Sequence, residues 1–173
     1  MSLPRELSIK NGRLYQKPLR ELEERRRDRV EYREAFVTDT INLEGIKGRK
    51  VDMEFTIRPA DEQKPYHKFA VRFAQNAQYQ TSFSFRPKEN ILKIDRKFSG
   101  SRKAVIHQRR SRVRSENGHL KLRMILDRFS AEIFINDGEQ VMTAVIQTVQ
   151  EADGISFFAD GEVKMDIVKY ALE

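Results

Sequence analysis

The stretch that decides the fold is Leu120–Val145, which reads LKLRMILDRFSAEIFINDGEQVMTAV. Its first strand alternates apolar residues at Leu120, Leu122, Met124 and Leu126, so these side chains share one face. After Asp127–Ser130 a second alternation follows at Ala131, Ile133 and Ile135. Asn136–Gly138 is a strong hairpin signal because Asn, Asp and Gly tolerate positive φ, and Val141–Val145 then returns. The stretch therefore predicts an antiparallel meander.

The same alternation recurs on both sides of this meander. Further strands are predicted at residues 33–43, 51–57, 69–73, 79–85, 91–95, 155–159 and 163–167, whereas 103–114 is ambiguous. Asp160-Gly161 separates the last two of these strands. About ten short strands with turn signals between them predict an all-β protein, a two-sheet antiparallel sandwich.

The N-terminal segment differs from the rest of the chain. Leu3–Tyr15 predicts a short hairpin that turns at Asn11-Gly12 and needs a surface to pack on, since an isolated hairpin is marginally stable. Pro18 then opens a predicted linker helix, in which Glu21 with Arg25 and Glu23 with Arg27 form i,i+4 pairs. The basic run Arg25–Arg29 is interpreted as the solvated end of this helix.

Composition excludes several classes of function. The chain has 173 residues, of which 39% are hydrophobic and 34% charged, enough for one domain with a core and an appended segment. Cysteine is absent, which rules out disulfides, thiolate metal sites and a cysteine nucleophile. No apolar run approaches the ~18 residues of a membrane span, and Met1-Ser2 opens no signal-like region. We therefore predict a cytoplasmic protein without a membrane partner.

Candidate metal and nucleotide sites are weak. His67, His107 and His119 are far apart, without the spacing of a zinc motif, so we predict no metal site. The chain contains no GxSxG, GxGxxG or GxxxxGK[ST] segment, so we predict neither a nucleophile elbow nor a nucleotide cofactor.

Two acid pairs are candidates for general acid–base chemistry, namely Asp137 with Glu139 and Asp127 with Glu132. Asp137 lies in a turn, where backbone conformation already favours Asp. Glu132 lies in mid-strand and is interpreted as an ordinary outward-facing residue. We therefore predict no catalytic residue.

The net charge is +7, and Arg102–Arg114 carries six Lys and Arg residues and no acid. Arg110, Arg112 and Arg114 would share one face of a strand, which suits a phosphate or nucleic-acid patch. The favoured interpretation is an exposed edge strand whose charges prevent edge-to-edge pairing. No aromatic residue is interleaved for base stacking, so we predict no nucleic-acid partner, and a basic nucleic-acid-binding domain is the least favoured alternative.

The central stretch also carries a family resemblance. Its segment ILDRFSAEIFINDGEQVMT resembles the DRSSVEVFVNDG-like segment in the C-terminal module of glycoside hydrolase family 32, the β-fructofuranosidases. Phe129-Ser130-Ala131 departs from the commoner Ser-Ser-Val. Three further segments agree, in order: LPRELSIKNGRLYQKPLRELEERR, ILKIDRKFSG and ISFFADGEVKMDIVKYAL.

The resemblance implies a concanavalin-like or jelly-roll-like β-sandwich behind a five-bladed propeller that holds the active site. It also implies retaining hydrolysis with two carboxylates. The propeller's WMNDPNG-like, RDP and EC motifs do not occur here; Trp and Cys are absent, and Arg27-Asp28-Arg29 lacks the Pro. No catalytic residue carries over to this chain.

These observations predict residues 1–17 as a remnant of the catalytic propeller, 18–31 as the linker helix and 32–173 as the sandwich. The predicted role is to brace the propeller of a bacterial sucrose-6-phosphate hydrolase or related β-fructofuranosidase, without activity of its own. The propeller is the expected partner. A homo-oligomer formed through the sandwich or the hairpin is a further possible assembly. The main alternative to the bracing role is a fructan-binding carbohydrate module.

Overall fold

The computed structural model describes residues 3–100 and 107–173. Its strands are β1 (Arg5–Lys10), β2 (Arg13–Pro18), β3 (Arg26–Ile41), β4 (Val51–Pro59), β5 (Lys68–Gln75), β6 (Gln80–Arg86), β7 (Ile91–Phe98), β8 (Gln108–Arg112), β9 (Leu120–Asp127), β10 (Ser130–Ile135), β11 (Gln140–Val145) and β12 (Gly154–Leu172). Two 3₁₀ turns lie at Arg20–Arg25 and Asn136–Gly138. The all-β prediction is confirmed.

Ten antiparallel strands form one curled sheet that folds over itself into two layers. The first layer has the order β11-β10-β9-β4-β12-β3, and the second has the order β3-β12-β5-β6-β7-β8, because β3 pairs with both parts of β12. The 19-residue strand β12 joins them, because its first part pairs with β5 and its second part pairs with β4. β1 and β2 form a separate two-stranded sheet.

The predicted break at Asp160-Gly161 is wrong, because β12 continues through it. The register against β3 shifts between Ala159 and Val163, and Gly161 adopts φ +106°. A glycine in this conformation bends the strand without ending its pairing, as in a β-bulge. This bulge is what allows one strand to serve both layers.

The core lies between the two layers and is rich in phenylalanine. Phe55 of the first layer stacks on Phe83 of the second at 6.0 Å between ring centroids, and Phe69 and Phe157 lie within 6.5 Å of Phe55. The predicted alternation holds in the meander, where Leu122, Met124 and Ile133 are at most 1% exposed. A fully buried side chain of this size contributes about 1.5–3 kcal/mol, so this cluster anchors the layers to each other.

The predicted linker helix over 18–31 is found only as the 3₁₀ turn Arg20–Arg25, and β3 already begins at Arg26. Arg26 pairs with Leu172 in the β3–β12 ladder. Glu23 contacts Arg123 across the fold at 3.1 Å. Long-range strand pairing and ion pairs therefore outweigh the local helix preference, which rested on a narrow apolar stripe.

Candidate functional site

The N-terminal segment, residues 3–26, covers part of the outer face of the first layer. Asp52 of β4, Arg123 of β9 and Glu132 of β10 all point away from the core, because their neighbours in the strands face it. A bare sheet would leave these side chains in water. Here Asp52 is 0% exposed and Glu132 is 1% exposed, so this face is an internal contact surface.

Glu132 holds the hairpin by its first residues. Its Oε1 accepts a hydrogen bond from the Leu3 backbone N–H at 2.5 Å, and its Oε2 accepts from Arg5 Nη2 at 2.8 Å and Arg5 Nε at 3.2 Å. The interpretation of Glu132 as an ordinary outward residue is wrong, because the hairpin buries it. A buried carboxylate requires such a charged, hydrogen-bonded partner to offset its lost hydration.

Three further groups complete the contact with the hairpin. Arg5 Nη2 donates to Thr143 Oγ1 of β11 at 3.0 Å, and the Arg5 guanidinium lies 5.6 Å from the centre of the Phe134 ring. The backbone of Gly138 packs directly against the carbonyl of Gln16, and a Cβ at Gly138 would overlap that carbonyl. We call Glu132, Phe134, Gly138 and Thr143 the hairpin seat.

A second ionic contact fixes the linker below the hairpin. Asp52 accepts a two-pronged pair of hydrogen bonds from Arg123, at 3.0 Å and 2.8 Å, and a further bond from Arg26 Nε at 2.8 Å. Glu54 pairs with the other side of Arg26. Burial works against the charge of Arg26, but Asp52 and Glu54 outweigh burial and raise its pKa. Arg26 also lies 4.4 Å from the Tyr170 ring centre.

The hairpin extends beyond its seat with an uncovered apolar surface. Ile9 and Leu14 are cross-strand partners, and Leu7 lies two residues from Ile9 on the same face. These three side chains, here called the apolar strip, are 65% (Leu7), 78% (Ile9) and 49% (Leu14) exposed. Arg5 lies on the same face of the hairpin. This face therefore docks on the seat at the base of the hairpin and, farther out, has no partner among the described residues.

The other predicted acids lie in turns or surface ion pairs. Asp127 Oδ1 accepts from the Arg128 N–H at 2.7 Å within the β9–β10 turn. Asp137 adopts φ +60° and pairs with Lys121 at 2.8 Å. Glu139 pairs with Arg13 at 2.8 Å and so supports the hairpin from the side. The structure does not bring Asp127 and Glu132 together in one site, since only the latter is buried.

The three histidines are dispersed. His119 Nε2 lies 2.7 Å from Glu62 Oε1. The contacts of the other two are made by the backbone: the His67 N–H donates to the Asp160 carbonyl, and the His107 carbonyl accepts from the Arg96 N–H. In the parts of the chain that the structure describes, no group of three His, Asp or Glu side chains is close enough to hold a metal ion.

Residues 102–106 of the basic stretch Arg102–Arg114 lie outside the described residues. Among the described strands β8 is the last of the second layer, so the predicted edge position is confirmed, and the role of its charges stays a prediction. Arg110 and Arg112 share a face as predicted, being opposite Lys93 and Ile91. Arg114 lies beyond the end of β8 and contacts Glu139 at 3.4 Å.

A cleft of about 730 Å³ lies beside the hairpin seat, between the end of β4 and the loop before β9. Its charged walls are Arg58, Arg114, Glu116, His119 and Lys121. Sugars usually stack on aromatic rings, yet no Phe, Tyr or Trp side chain lines this cleft. Its cations already have acidic partners, as Arg58 does with Asp166 at 2.7 Å.

The profile of the family described as "Glycosyl hydrolases family 32 C terminal" matches residues 19–172. The chain belongs to this family. A "Probable sucrose-6-phosphate hydrolase" of Vibrio cholerae is 33% identical over 152 residues, covering 88% of this chain and 25% of that protein.

Solved structures show the same fold. The sucrose-6-phosphate hydrolase of Lactobacillus gasseri aligns with 98% of this family 32 domain and 33% of its own chain, at a TM-score of 0.79 and 22% identity. Fructan 1-exohydrolase IIa of Cichorium intybus aligns over 99% and 41%, at a TM-score of 0.84 and 18% identity. The chain thus spans about a quarter to two fifths of the length of these three proteins.

Within the described residues, no helix has the length and apolar character needed to cross a membrane.

The network of Arg26, Asp52 and Arg123 is the functional contact that sequence reasoning missed. Asp52 is separated from Arg123 by 71 residues, and only the β4–β9 register brings them together. The available signal was a pair of acids, Asp52 and Glu54, at successive outward positions of an alternating strand.

Proposed function

We propose that this chain is the C-terminal sandwich of a cytoplasmic sucrose-6-phosphate hydrolase or related β-fructofuranosidase, that it braces the catalytic propeller and that it is inactive alone. The family membership and the printed names of its relatives support the choice of enzyme. The observation that carries the brace is the apolar strip on a hairpin whose base is locked into a buried ionic seat.

The geometry explains how such a brace would work. Exposed apolar side chains on a two-stranded hairpin are costly unless another surface covers them. Glu132 and Arg5 fix the base of the hairpin, so the strip is presented at a defined angle to whatever precedes it in the chain. The propeller supplies the surface that covers the apolar strip, while the base of the hairpin stays docked on the sandwich.

Inactivity is tested by incubating the purified 173-residue chain with sucrose and with sucrose 6-phosphate. We expect no release of hexose, because the chain lacks the carboxylate motifs of family 32 hydrolases. Measured turnover that survives repeated purification would contradict the proposal.

The brace is tested in the full-length hydrolase that carries this chain. Replacing Leu7 and Ile9 together by Ser should lower the temperature at which hydrolysis is lost, because it removes apolar contact area between the domains. The same changes in the 173-residue chain should alter its stability by less than about 0.5 kcal/mol, since both residues are exposed there. Ser8→Ala, on the opposite hairpin face, is the matched control. Equal inactivation of the Leu7/Ile9 variant and wild type would contradict the brace.

The alternative of a fructan-binding module predicts saturable heat on titration of the chain with inulin or levan. The 730 Å³ cleft has no Phe, Tyr or Trp in its wall, so we expect no such heat. Binding with a defined stoichiometry would favour the alternative over the brace as the role of this domain.

A further inference from the structure

The outer face of the second layer has a small hollow surrounded by cations. Ser84, the cross-strand partner of Ala70, lies at its floor and is only 6% exposed. Register places Lys93 opposite Ser84 and Arg110 opposite Lys93. Lys68 and Arg86 are the next pair after Phe69–Phe85 in the β5–β6 ladder, so their side chains point to the outer face. Four basic side chains from four neighbouring strands therefore converge on one serine.

The hollow has a volume of about 60 Å³ and is lined by these cations, Ser84, Glu89 and Ile91. One water molecule needs about 10–15 Å³ of such space, so the hollow accepts a group of a few heavy atoms rather than a sugar ring. The small side chain of Ser84 between long cationic side chains produces this shape. Nothing in the packing of the core requires it, because Ala70 and Ser84 point away from the Phe69–Phe83 interior.

The positive charge of the rim is only partly neutralised. Arg86 contacts Glu89 at 3.2 Å, and Lys93 contacts Asp95 at 3.2 Å. Lys68 and Arg110 have no ion-pair partner among residues 3–100 and 107–173, and the segment 101–106 contains no acid. Asp160 lies opposite Lys68 in the ladder without forming an ion pair.

The cations around the hollow also repel one another. Burial, followed by repulsion from Lys93, Arg86 and Arg72, lowers the pKa of Lys68, and only Asp160 acts in the opposite direction. A bound anion would relieve this repulsion. Oxyanions such as phosphate suit the site because Arg and Lys side chains donate charge-assisted hydrogen bonds to several oxygens at once.

We propose that Lys68, Arg86, Lys93 and Arg110 form a binding site for a phosphate group, with the Ser84 hydroxyl as a further donor at its floor. This site lies on the layer opposite the hairpin seat, and its existence does not depend on the proposed function. The group is either inorganic phosphate or the phosphoryl group of a small phosphate ester. A long polyanion fits less well, because the hollow is small and the nearby ring of Phe158 is already approached by Lys68 and Arg72 at 5.5 Å and 5.4 Å.

The test is titration of the 173-residue chain at constant ionic strength, followed by amide chemical shifts and calorimetry. Inorganic phosphate and glucose 6-phosphate are the two ligands, with chloride and unphosphorylated glucose as blanks. Shifts should cluster at Ser84, Lys93 and Arg110. Lys93→Gln should weaken phosphate binding about tenfold, the loss expected for one hydrogen bond to a charged group. Ser84→Asp should abolish it, because a second anion then occupies the floor.

Lys164 is a half-buried cation on the other layer that contacts Glu34, and Lys164→Gln is the matched control that should leave the affinity unchanged. Tighter binding of glucose 6-phosphate than of phosphate would identify a phosphate ester as the ligand, and equal binding would identify the free ion. The proposal is overturned if neither ligand shifts these amides or if Lys93→Gln and Lys164→Gln lose affinity equally. Binding of an RNA oligonucleotide alone, with a steep salt dependence, would overturn it in favour of a nucleic-acid surface.

Discussion

The two layers of the sandwich have similar apolar inner faces and opposite outer faces. The outer face of the first layer places carboxylates, Asp52 and Glu132, in mid-sheet, and arginines of the N-terminal segment cover them. The outer face of the second layer places cations around Ser84, and no segment of the described chain covers them. A charged side chain in the middle of a sheet is thus a sign of a contact. Where an opposite charge of the same chain neutralises it, the face is an internal contact surface; where none does, the face is open for a binding partner.

The largest difference between the faces should appear on removing a carboxylate from each. Asp52→Ala removes the buried carboxylate that Arg123 and Arg26 share, and breaking such a pair costs up to about 3–5 kcal/mol. Asp95→Ala removes the partially exposed partner of Lys93 and should cost less than about 1 kcal/mol. Urea unfolding of both variants measures the gap, and equal losses would remove the distinction between the faces.

Two glycines separate the contribution of hairpin packing from that of backbone strain. Gly138 and Gly12 both have positive φ, +92° and +73°, but only a Cβ at Gly138 would meet the hairpin backbone. Gly12→Ala should cost about 1 kcal/mol for the conformation alone. Gly138→Ala should cost at least about 1 kcal/mol more, because the Gln16 carbonyl must move. Equal losses on thermal unfolding would show that the close approach carries no energy.

The smallest expected effect concerns pH. The Glu34 N–H and the Arg58 guanidinium bind Asp166 on an uncovered part of the first layer and hold its pKa below its ordinary value. A lowered carboxyl pKa stabilises the fold above the unfolded pKa of about 3.9, and this stability is lost as the pH falls through the folded pKa. Asp166→Asn should therefore lose less stability than wild type between about pH 5 and pH 3. Parallel acid titrations of the two proteins would contradict this.

Alternation predicted the meander, the core face and the sandwich from the sequence, because inward residues such as Leu122 and Ile133 follow a local period. The same period identified Glu132 as outward-facing but not as buried. What covers it is Arg5, 127 residues away, and only the tertiary fold specifies that contact. The linker helix over 18–31 was mispredicted for the same reason, since Arg26 is drawn into the β3–β12 ladder.

The bend in β12 could not be predicted either. Asp160-Gly161 reads as a turn in the sequence, and its local conformation is indeed that of a glycine with positive φ. Such a residue can end a strand or bend it. Here it bends β12, because β3 and β5 pair with β12 on its two sides in the fold. The hollow around Ser84 likewise exists only because register aligns four strands.

The central claim is that Glu132 holds the hairpin on the first layer. The most direct test compares amide hydrogen exchange in the wild-type chain and in Glu132→Ala. In the wild-type chain we expect protected amides at the base of β1 and β2, near Arg5 and Gln16. In the variant these amides should exchange at the rate of an isolated hairpin, while β6 and β7 of the second layer keep their protection. Unchanged hairpin protection, or an equal loss of protection in both layers, would contradict the account.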